Sequence, residues 1–300
     1  MKSGFCAILG RPNVGKSTLI NALLSKKVSI VAPKAQTTRD DIMGIYNEKG
    51  LQIVFIDTPG MFEGQEALYK MMNKSARRSI SDIDVVLYII DSTIRSYEHD
   101  DKILASIKTD SPIYIVFNKI DDVTAPQMEA LTQHYAEAFP TYKQIQISAL
   151  TNFGLKDIKN EVASHLNEGP AYFPEEQLTD KDPKFMAKEV IREKVLHFLK
   201  QEVPHQCAVL ITNFEEKANN GVKIEAIIVT EKDKQKAIVI GRGGEMIKKI
   251  SMAARHDLER MWKKHVTLVC EVECMPDWRN SPTKLMKLGY GDEQDEYSDD

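Results

Sequence analysis

Several short groups of residues in this chain are of types and spacings that could handle phosphate. Gly10-Arg-Pro-Asn-Val-Gly-Lys-Ser17 sets two glycines with four residues between them and follows them with a lysine and a hydroxyl. Glycines let the backbone curl until several N–H groups face one anion. Lys16 would then reach the outer phosphates of a nucleotide, and the Ser17 hydroxyl would ligate Mg²⁺. Gly10, Arg11, Pro12, Asn13, Val14, Gly15, Lys16, Ser17 and Thr18 are therefore the expected phosphate-binding stretch. Asp57, Thr58, Pro59 and Gly60 offer a carboxylate that can hold Mg²⁺, usually through water, and a glycine N–H that can approach a γ-phosphate.

Asn118-Lys-Ile-Asp121 could choose the base. Asp121 can accept from the ring N–H and exocyclic amine of guanine, and adenine offers neither. A site built that way discriminates by roughly 10⁴ or more. Asn118 would anchor the loop and touch the base, with the Lys119 stem over its face. Ser148 and Ala149 add a small turn whose backbone N–H can meet guanine O6. In Gln36-Thr-Thr-Arg39 a threonine hydroxyl can join Mg²⁺ when the loop closes on a triphosphate. The residues alone do not choose between Thr37 and Thr38.

These groups need strand ends and helix starts to stand on. Through residue 168, short β-branched runs alternate with amphipathic segments. Strands are expected at Phe5–Leu9, Ile53–Ile56, Val85–Ile90, Ile113–Phe117 and Gln144–Ile147, and helices at Ser17–Leu24, Ala67–Ser79, Asp100–Ile107, Gln127–Phe139 and Leu155–Leu166. Such alternation implies an α/β fold, a doubly wound and mostly parallel sheet covered on both faces. Asp41–Asn47 and Gln52–Ile56 read as a hairpin that adds an antiparallel edge. Ligands of such sheets sit at the carboxyl ends of the strands, and the motifs fall there.

Residues 169–184 hold three prolines and mixed charge and read as a linker. A smaller unit follows over 185–290. Its first helix has Ala187, Ile191, Val195 and Leu199 on one face, and Ala208–Phe214 and Val222–Val229 flank an Asn-Asn-Gly turn. Ala237–Ile240 fits either a strand or a buried helix. Behind it, Ile240, Gly241, Arg242, Gly243 and Gly244 form a Gly-x-x-Gly loop opening a helix that carries Lys248 and Lys249. Residues 232–264 hold ten Lys or Arg against four Asp or Glu, a local charge of +6 in a chain of net charge −4. A Gly-x-x-Gly loop with a helix start behind it is the KH pattern, which clamps about four nucleotides of a single strand. Residues 291–300 are strongly acidic and are expected to be disordered.

The composition is that of a globular chain, with no apolar run long enough to span a bilayer and no signal-peptide pattern at the start. The cytoplasm is the expected compartment. Cys6, Cys207, Cys270 and Cys274 then read as thiols rather than disulfides.

In order and over about residues 4–290, these motifs resemble those of the bacterial Era-type GTPases: the phosphate loop, Thr-Thr-Arg, Asp-Thr-Pro-Gly, Asn-Lys-Ile-Asp, the Pro-rich linker, the Gly-x-x-Gly loop, and the closing Trp278-Arg279 and Leu288-Gly-Tyr290. The resemblance implies a Ras-like GTPase domain followed by a type II KH domain, with Ala237–Ile240 in a short helix. It implies Thr38 as the Mg²⁺ ligand beside Ser17 and Asp57. It also implies binding to the 3′ region of 16S rRNA, a role in assembly of the small ribosomal subunit, and peripheral association with the cytoplasmic face of the inner membrane. A monomer is expected.

The reaction expected is hydrolysis of GTP to GDP and phosphate by in-line attack of water, with Lys16, Thr38 and Gly60 at the reacting phosphate. Met61 follows Gly60, where Ras-like enzymes carry a water-orienting glutamine. Turnover should therefore be slow, and Asn13 suggests, by resemblance to cation-dependent relatives, a K⁺ ion in place of an arginine finger. Two other readings stay open at this point. One is a GTPase whose second unit binds a protein, and the other is an ATP-dependent kinase, which Asn118 and Asp121 oppose.

Overall fold

The structure, a computed structural model, describes residues 1–32, 38–59, 66–78, 83–218 and 220–290, with backbone only for 73–78. Thr37, Gly60, Met61, Asn219, the expected end of a helix at Ser79, and the acidic residues 291–300 lie outside the described residues. Two compact units divide the chain. The first takes residues 1–29, 38–63 and 72–180, and the second takes 30–37, 64–71 and 181–300.

Alternation along the strands decides which side of the first sheet each helix covers. The strand order is β2 (Ile42–Glu48), β3 (Leu51–Asp57), β1 (Lys2–Gly10), β4 (Val85–Asp91), β5 (Ile113–Asn118), β6 (Lys143–Gln146). Only the β2–β3 pairing is antiparallel. Cys6, Ile8, Phe55, Leu87 and Val116 point to one side and pack on α1 (Lys16–Leu24) and α5 (Leu155–His165) through Leu19, Ile20, Ile158 and Val162. Ala7, Leu9, Val86, Tyr88 and Phe117 point to the other. They meet α3 (Glu98–Ser106) and α4 (Ala125–Ala138) through Leu104, Leu131 and Tyr135. Both faces being covered, the central strands are near-continuous apolar runs. The strand order reverses direction at β1, so a crevice opens at its carboxyl end, where Gly10 begins the phosphate loop.

Element edges shift by a few residues from the sequence expectation, for local reasons. Helix α4 starts at Ala125 rather than Gln127. Thr124 and Gln127 form a capping box, with the Thr124 N–H donating to Gln127 Oε1 at 2.9 Å, and Pro126 sits in the first turn.

The proline-rich segment is divided at Asp180. Up to that point it lies along the edge strand β2, as part of the first unit. The Ile45 N–H donates to the Leu178 carbonyl at 2.9 Å and the Met43 N–H to Asp180 Oδ1 at 2.8 Å. Gln52, fully buried, accepts from the N–H groups of Tyr172 and Phe173 and donates to the Phe173 carbonyl. The segment thus covers an edge that would otherwise present unpaired backbone groups.

In the second unit, β7 (Ala208–Glu216) pairs antiparallel with β8 (Gly221–Thr230), and β9 (His265–Cys274) lies parallel on the other side of β8. Their inward residues Val209, Ile224, Ile228 and Val266 share a core with Val190, Ile191 and Val195 of α6 (Pro183–Phe198) and Ile250, Ala254 and Leu258 of α8 (Glu245–Trp262). Asp182 caps α6 by accepting the Phe185 N–H at 2.6 Å. The run Ala237–Ile240 belongs to α7 (Asp233–Ile240), so the helical alternative is the one adopted. Trp278 is fully buried, donates its indole N–H to the Gln206 carbonyl and stacks on Tyr290 behind α9 (Pro282–Lys287). Within this unit α2 (Ala67–Arg78) begins beside Arg279, which pairs with Glu66 and Glu231 at 3.0 Å each.

Candidate nucleotide site and glycine-loop surface

The phosphate loop is held shut from behind. Gly15 has φ 100°, and a Cβ there would lie 2.3 Å from Asn118 Nδ2. Only glycine fits, on both conformational and steric grounds. Asn118, 2% exposed, donates to the Val14 carbonyl at 2.9 Å and accepts the Ala149 N–H at 3.0 Å. One amide side chain therefore joins three of the sequence motifs. Lys119 adds a second tie, donating to the Asn13 carbonyl at 2.9 Å and pairing with Asp91. Gly15 caps α1 without a side-chain hydrogen bond, so no side chain competes for the first-turn amides of the helix. Amides in that position are an anion site.

Lys16 lies across the loop, its ammonium donating to the carbonyls of Gly10 at 2.8 Å and Arg11 at 2.9 Å. Burial lowers its pKa to about 8, against the opposing pull of Asp57 and Asp100. The Arg11 guanidinium turns toward Asp100.

Ser17 and Thr38 meet, Oγ to Oγ1, at 2.8 Å. Mg²⁺ binds oxygens at 2.0–2.1 Å in an octahedron, so two adjacent ligands stand about 2.9 Å apart. The pair already has the spacing of one octahedral edge. Asp57 is fully buried and lies behind it. Its Oδ2 accepts from Ser29 at 2.8 Å and Thr38 at 3.4 Å, whereas its Oδ1 is buried with no partner. Burial raises its pKa, although Lys16 and the three hydroxyls pull the other way. An orphaned carboxylate oxygen beside two correctly spaced hydroxyls fits a small hard dication. Thr58 Oγ1 donates to the Ile8 carbonyl at 2.9 Å and fixes the strand end.

Ser29 was not foreshadowed by any motif. It reaches Asp57 because Asn21 on α1 accepts the N–H groups of Val28 and Ser29 and donates to the Ser29 carbonyl. A polar residue in a helix followed at a distance by a serine is no recognisable signal.

The base-side residues Asn118, Lys119 and Ala149 are brought near the loop. Asp121 is exposed in the short 3₁₀ turn Ile120–Asp122 that follows β5. In the Ser148–Ala149 turn the Ala149 N–H goes to Asn118, and that of Ser148 goes to the Phe153 carbonyl at 3.2 Å.

The glycine loop of the second unit is open. Gly241 needs to be glycine, with φ 74° and a would-be Cβ 2.7 Å from Met246 Cβ. Gly243 and Gly244 are also left-handed, yet nothing lies within 4 Å of a Cβ at either. Arg242, Lys248 and Lys249 are exposed around them, and the Lys249 ammonium sits 4.5 Å from the Phe198 ring centre. Ile240 is half-buried beneath the loop. The basic run extends well beyond the loop. Helix α8 is 18 residues long, about 27 Å. Toward its far end Arg260 pairs with Asp257 and Lys264 with Glu216.

The chain matches a family model described as a 50S ribosome-binding GTPase over residues 5–119 and a KH domain model over residues 202–279. It is 44% identical to the GTPase Era of Clostridium acetobutylicum over 96% of this chain and 98% of that one. It is 41% identical to the GTPase Era of Leuconostoc citreum, with 97% of each chain covered. Among solved structures it resembles a point variant of Aquifex aeolicus Era bound to GDP·AlF4⁻, with a TM-score of 0.93 and 35% identity over 97% of this chain and 100% of that one. It also resembles Era in complex with MgGDPNP and nucleotides 1506–1542 of 16S ribosomal RNA, with a TM-score of 0.94 and 36% identity over 97% and 99%. A Gly10–Ser17 loop tied to the Asn118 loop, followed by a match to the KH domain model and covered nearly end to end by these relatives, places the chain in the Era family of GTPases.

Proposed function

We propose that this chain hydrolyses GTP in its first unit and binds single-stranded RNA of the 16S 3′ region with its second, as a factor in small-subunit assembly. We assign the GTPase to residues 1–168, the connecting segment to 169–184 and RNA binding to 185–290. The observation that carries the enzymatic part is the convergence of Ser17, Thr38 and the orphaned Asp57 oxygen beside Lys16. The relative solved with a 16S segment supports the RNA part, as does the open, left-handed glycine loop.

In this reading the amides of the loop and of the α1 start bind the β- and γ-phosphates. Lys16 leaves the carbonyls of Gly10 and Arg11 for phosphate oxygens and offsets charge as the terminal bond breaks. Ser17 and Thr38 would hold Mg²⁺, with the Asp57 carboxylate behind them, and the ion would supply positive charge to offset that of the phosphates. Gly60 orders the γ-phosphate, and Asp121 selects guanine, with Asn118 holding its loop and Lys119 and Ala149 flanking the base. Arg242, Lys248 and Lys249 meet the RNA backbone around Gly241–Gly244.

Turnover without assistance is on the order of 10⁻³ per second or less. Asn13 is exposed at the loop apex, at φ 64°, where K⁺ would supplement Lys16. Equal turnover in K⁺ and Na⁺ for wild type and Asn13→Ala would remove that assignment. Among the described residues no helix is long and apolar enough to cross a membrane. A peripheral association would therefore use a surface, and sedimentation with anionic vesicles tests it. The chain acts as a monomer, which light scattering checks.

The central test is competition for the nucleotide site together with RNA binding at rising salt. GTP should outcompete ATP by at least a hundredfold. RNA affinity should fall steeply with salt. ATP winning would support a kinase, and RNA binding insensitive to salt and to acidic residues at 241–244 would favour a protein partner for the second unit.

A further inference from the structure

The buried carboxylate of Asp100 has no part in the roles above. It is fully buried in the first turn of α3, under the phosphate loop. Its Oδ1 accepts from the Tyr88 hydroxyl at 2.8 Å, and its Oδ2 accepts from Arg11 Nη1 at 3.3 Å. Arg11 is the second residue of the loop, and its own carbonyl accepts from the Lys16 ammonium. A line of contacts runs from β4 through Asp100 and the Arg11 side chain to the backbone atom that seats Lys16.

A buried carboxylate is a costly way to brace a loop. Burial raises the Asp100 pKa even with Tyr88 and Arg11 pulling it down, so its charge works against folding. A neutral asparagine would keep the Tyr88 contact with less desolvation. The Tyr88 contact therefore does not need the charge of Asp100. Its charge acts on Arg11, which is one-third exposed and would otherwise extend toward water or toward the nucleotide.

We propose that Asp100 is a positioning residue for nucleotide binding, holding the Arg11 side chain back from the phosphate site and fixing the loop backbone from which Lys16 reaches the phosphates. This rests on the GTPase reading of the same loop.

The test measures affinity for fluorescent GDP and GTP analogues, and thermal stability, on the full chain. Asp100→Asn and Arg11→Ala should each weaken binding about tenfold, the scale of one charge-assisted hydrogen bond. The double variant should be no weaker than either single one, because both remove the same contact. Arg11→Lys should recover to within about threefold, since a single Nη1 contact does not need the guanidinium fork. The melting temperature of nucleotide-free Asp100→Asn should hold or rise, and its preference for GTP over ATP should stay unchanged. A merely structural role predicts the reverse: lower stability and unaltered affinity. Unaltered affinity in Asp100→Asn, or losses that multiply in the double variant, would overturn the proposal while leaving the GTPase reading intact. Wild-type protein that fails to bind GDP would sink both.

Discussion

Gly15 opens α1 in the first unit and Gly244 opens α8 in the second, both left-handed, at φ 100° and 82°. Neither helix has a side-chain cap, and a basic residue follows within the first turns of each. As local devices the two are the same, a glycine turn that leaves helix amides free for phosphate. Their surroundings differ. A Cβ at Gly15 would strike Asn118 at 2.3 Å, while one at Gly244 would meet nothing within 4 Å. Lys16 is 6% exposed, whereas Arg242 and Lys248 are open to solvent. An enclosed loop suits one compact polyphosphate whose every oxygen can be met. An open loop suits a polymer that must enter, pass over and leave. The shell around the turn, rather than the turn, separates a nucleotide site from a strand clamp.

Gly15→Ala should break the first site outright. Strain at φ 100° and the collision with Asn118 together should weaken GDP by more than about a hundredfold, with RNA binding by the second unit retained. Retained GDP binding would mean the loop has slack that its packing does not show. Replacing Gly243 and Gly244 with aspartate should weaken RNA by roughly tenfold to a hundredfold and flatten its salt dependence, and leave GTP turnover alone. If turnover fell equally, the two sites would not be separable.

Gly244→Ala sharpens the contrast. With open space around it, the substitution should cost only the left-handed penalty, about 1–2 kcal/mol of stability by denaturant unfolding, and keep RNA affinity within about threefold. A loss as large as that of Gly15→Ala would show that the second loop closes on its ligand.

The smallest effect is a pH dependence confined to the first site. Asp100 faces Arg11, Tyr88, Asp101, Tyr135 and Lys16, and burial raises its pKa above the ordinary 3.8. Between that value and the raised one, the folded protein holds a proton that the unfolded chain has released. This group therefore makes stability fall as pH rises through the window and level off above it. Melting curves of nucleotide-free wild type and Asp100→Asn from about pH 4 to 7 should diverge in the variant's favour and then run parallel. Parallel curves throughout would mean the carboxylate carries no such burden.

The fold class was legible because it depends on local pattern. Val85–Ile90 and Ile113–Phe117 are apolar, largely β-branched runs that read as strands buried on both faces, and strands alternating with helices are wound right-handed almost without exception. Ala237–Ile240 was not legible, since four apolar residues carry no period; it became a helix because α7 packs Val239 into the core. Ser29, Asp100 and Gln52 gave no signal either. Each acts on a partner far away along the chain, Asp57, Arg11 and the segment at 172–173. The basic run 232–264 shows what the chain order leaves out. It is contiguous along the chain, but the helix carries its far half away from the loop, and there Arg260 and Lys264 pair with Asp257 and Glu216.

By itself the sequence determined that phosphate, guanine and a nucleic-acid backbone are the chemistry in question, because those signals are short and rest on residue types at fixed spacing. Tertiary structure decided which atoms are free to act. It turned Arg11 toward Asp100 and put Ser17 and Thr38 one octahedral edge apart. It also left one oxygen of Asp57 without a partner and spent the Ala149 N–H on Asn118. Those outcomes depend on distances between residues far apart in the chain, and only the packed fold sets them.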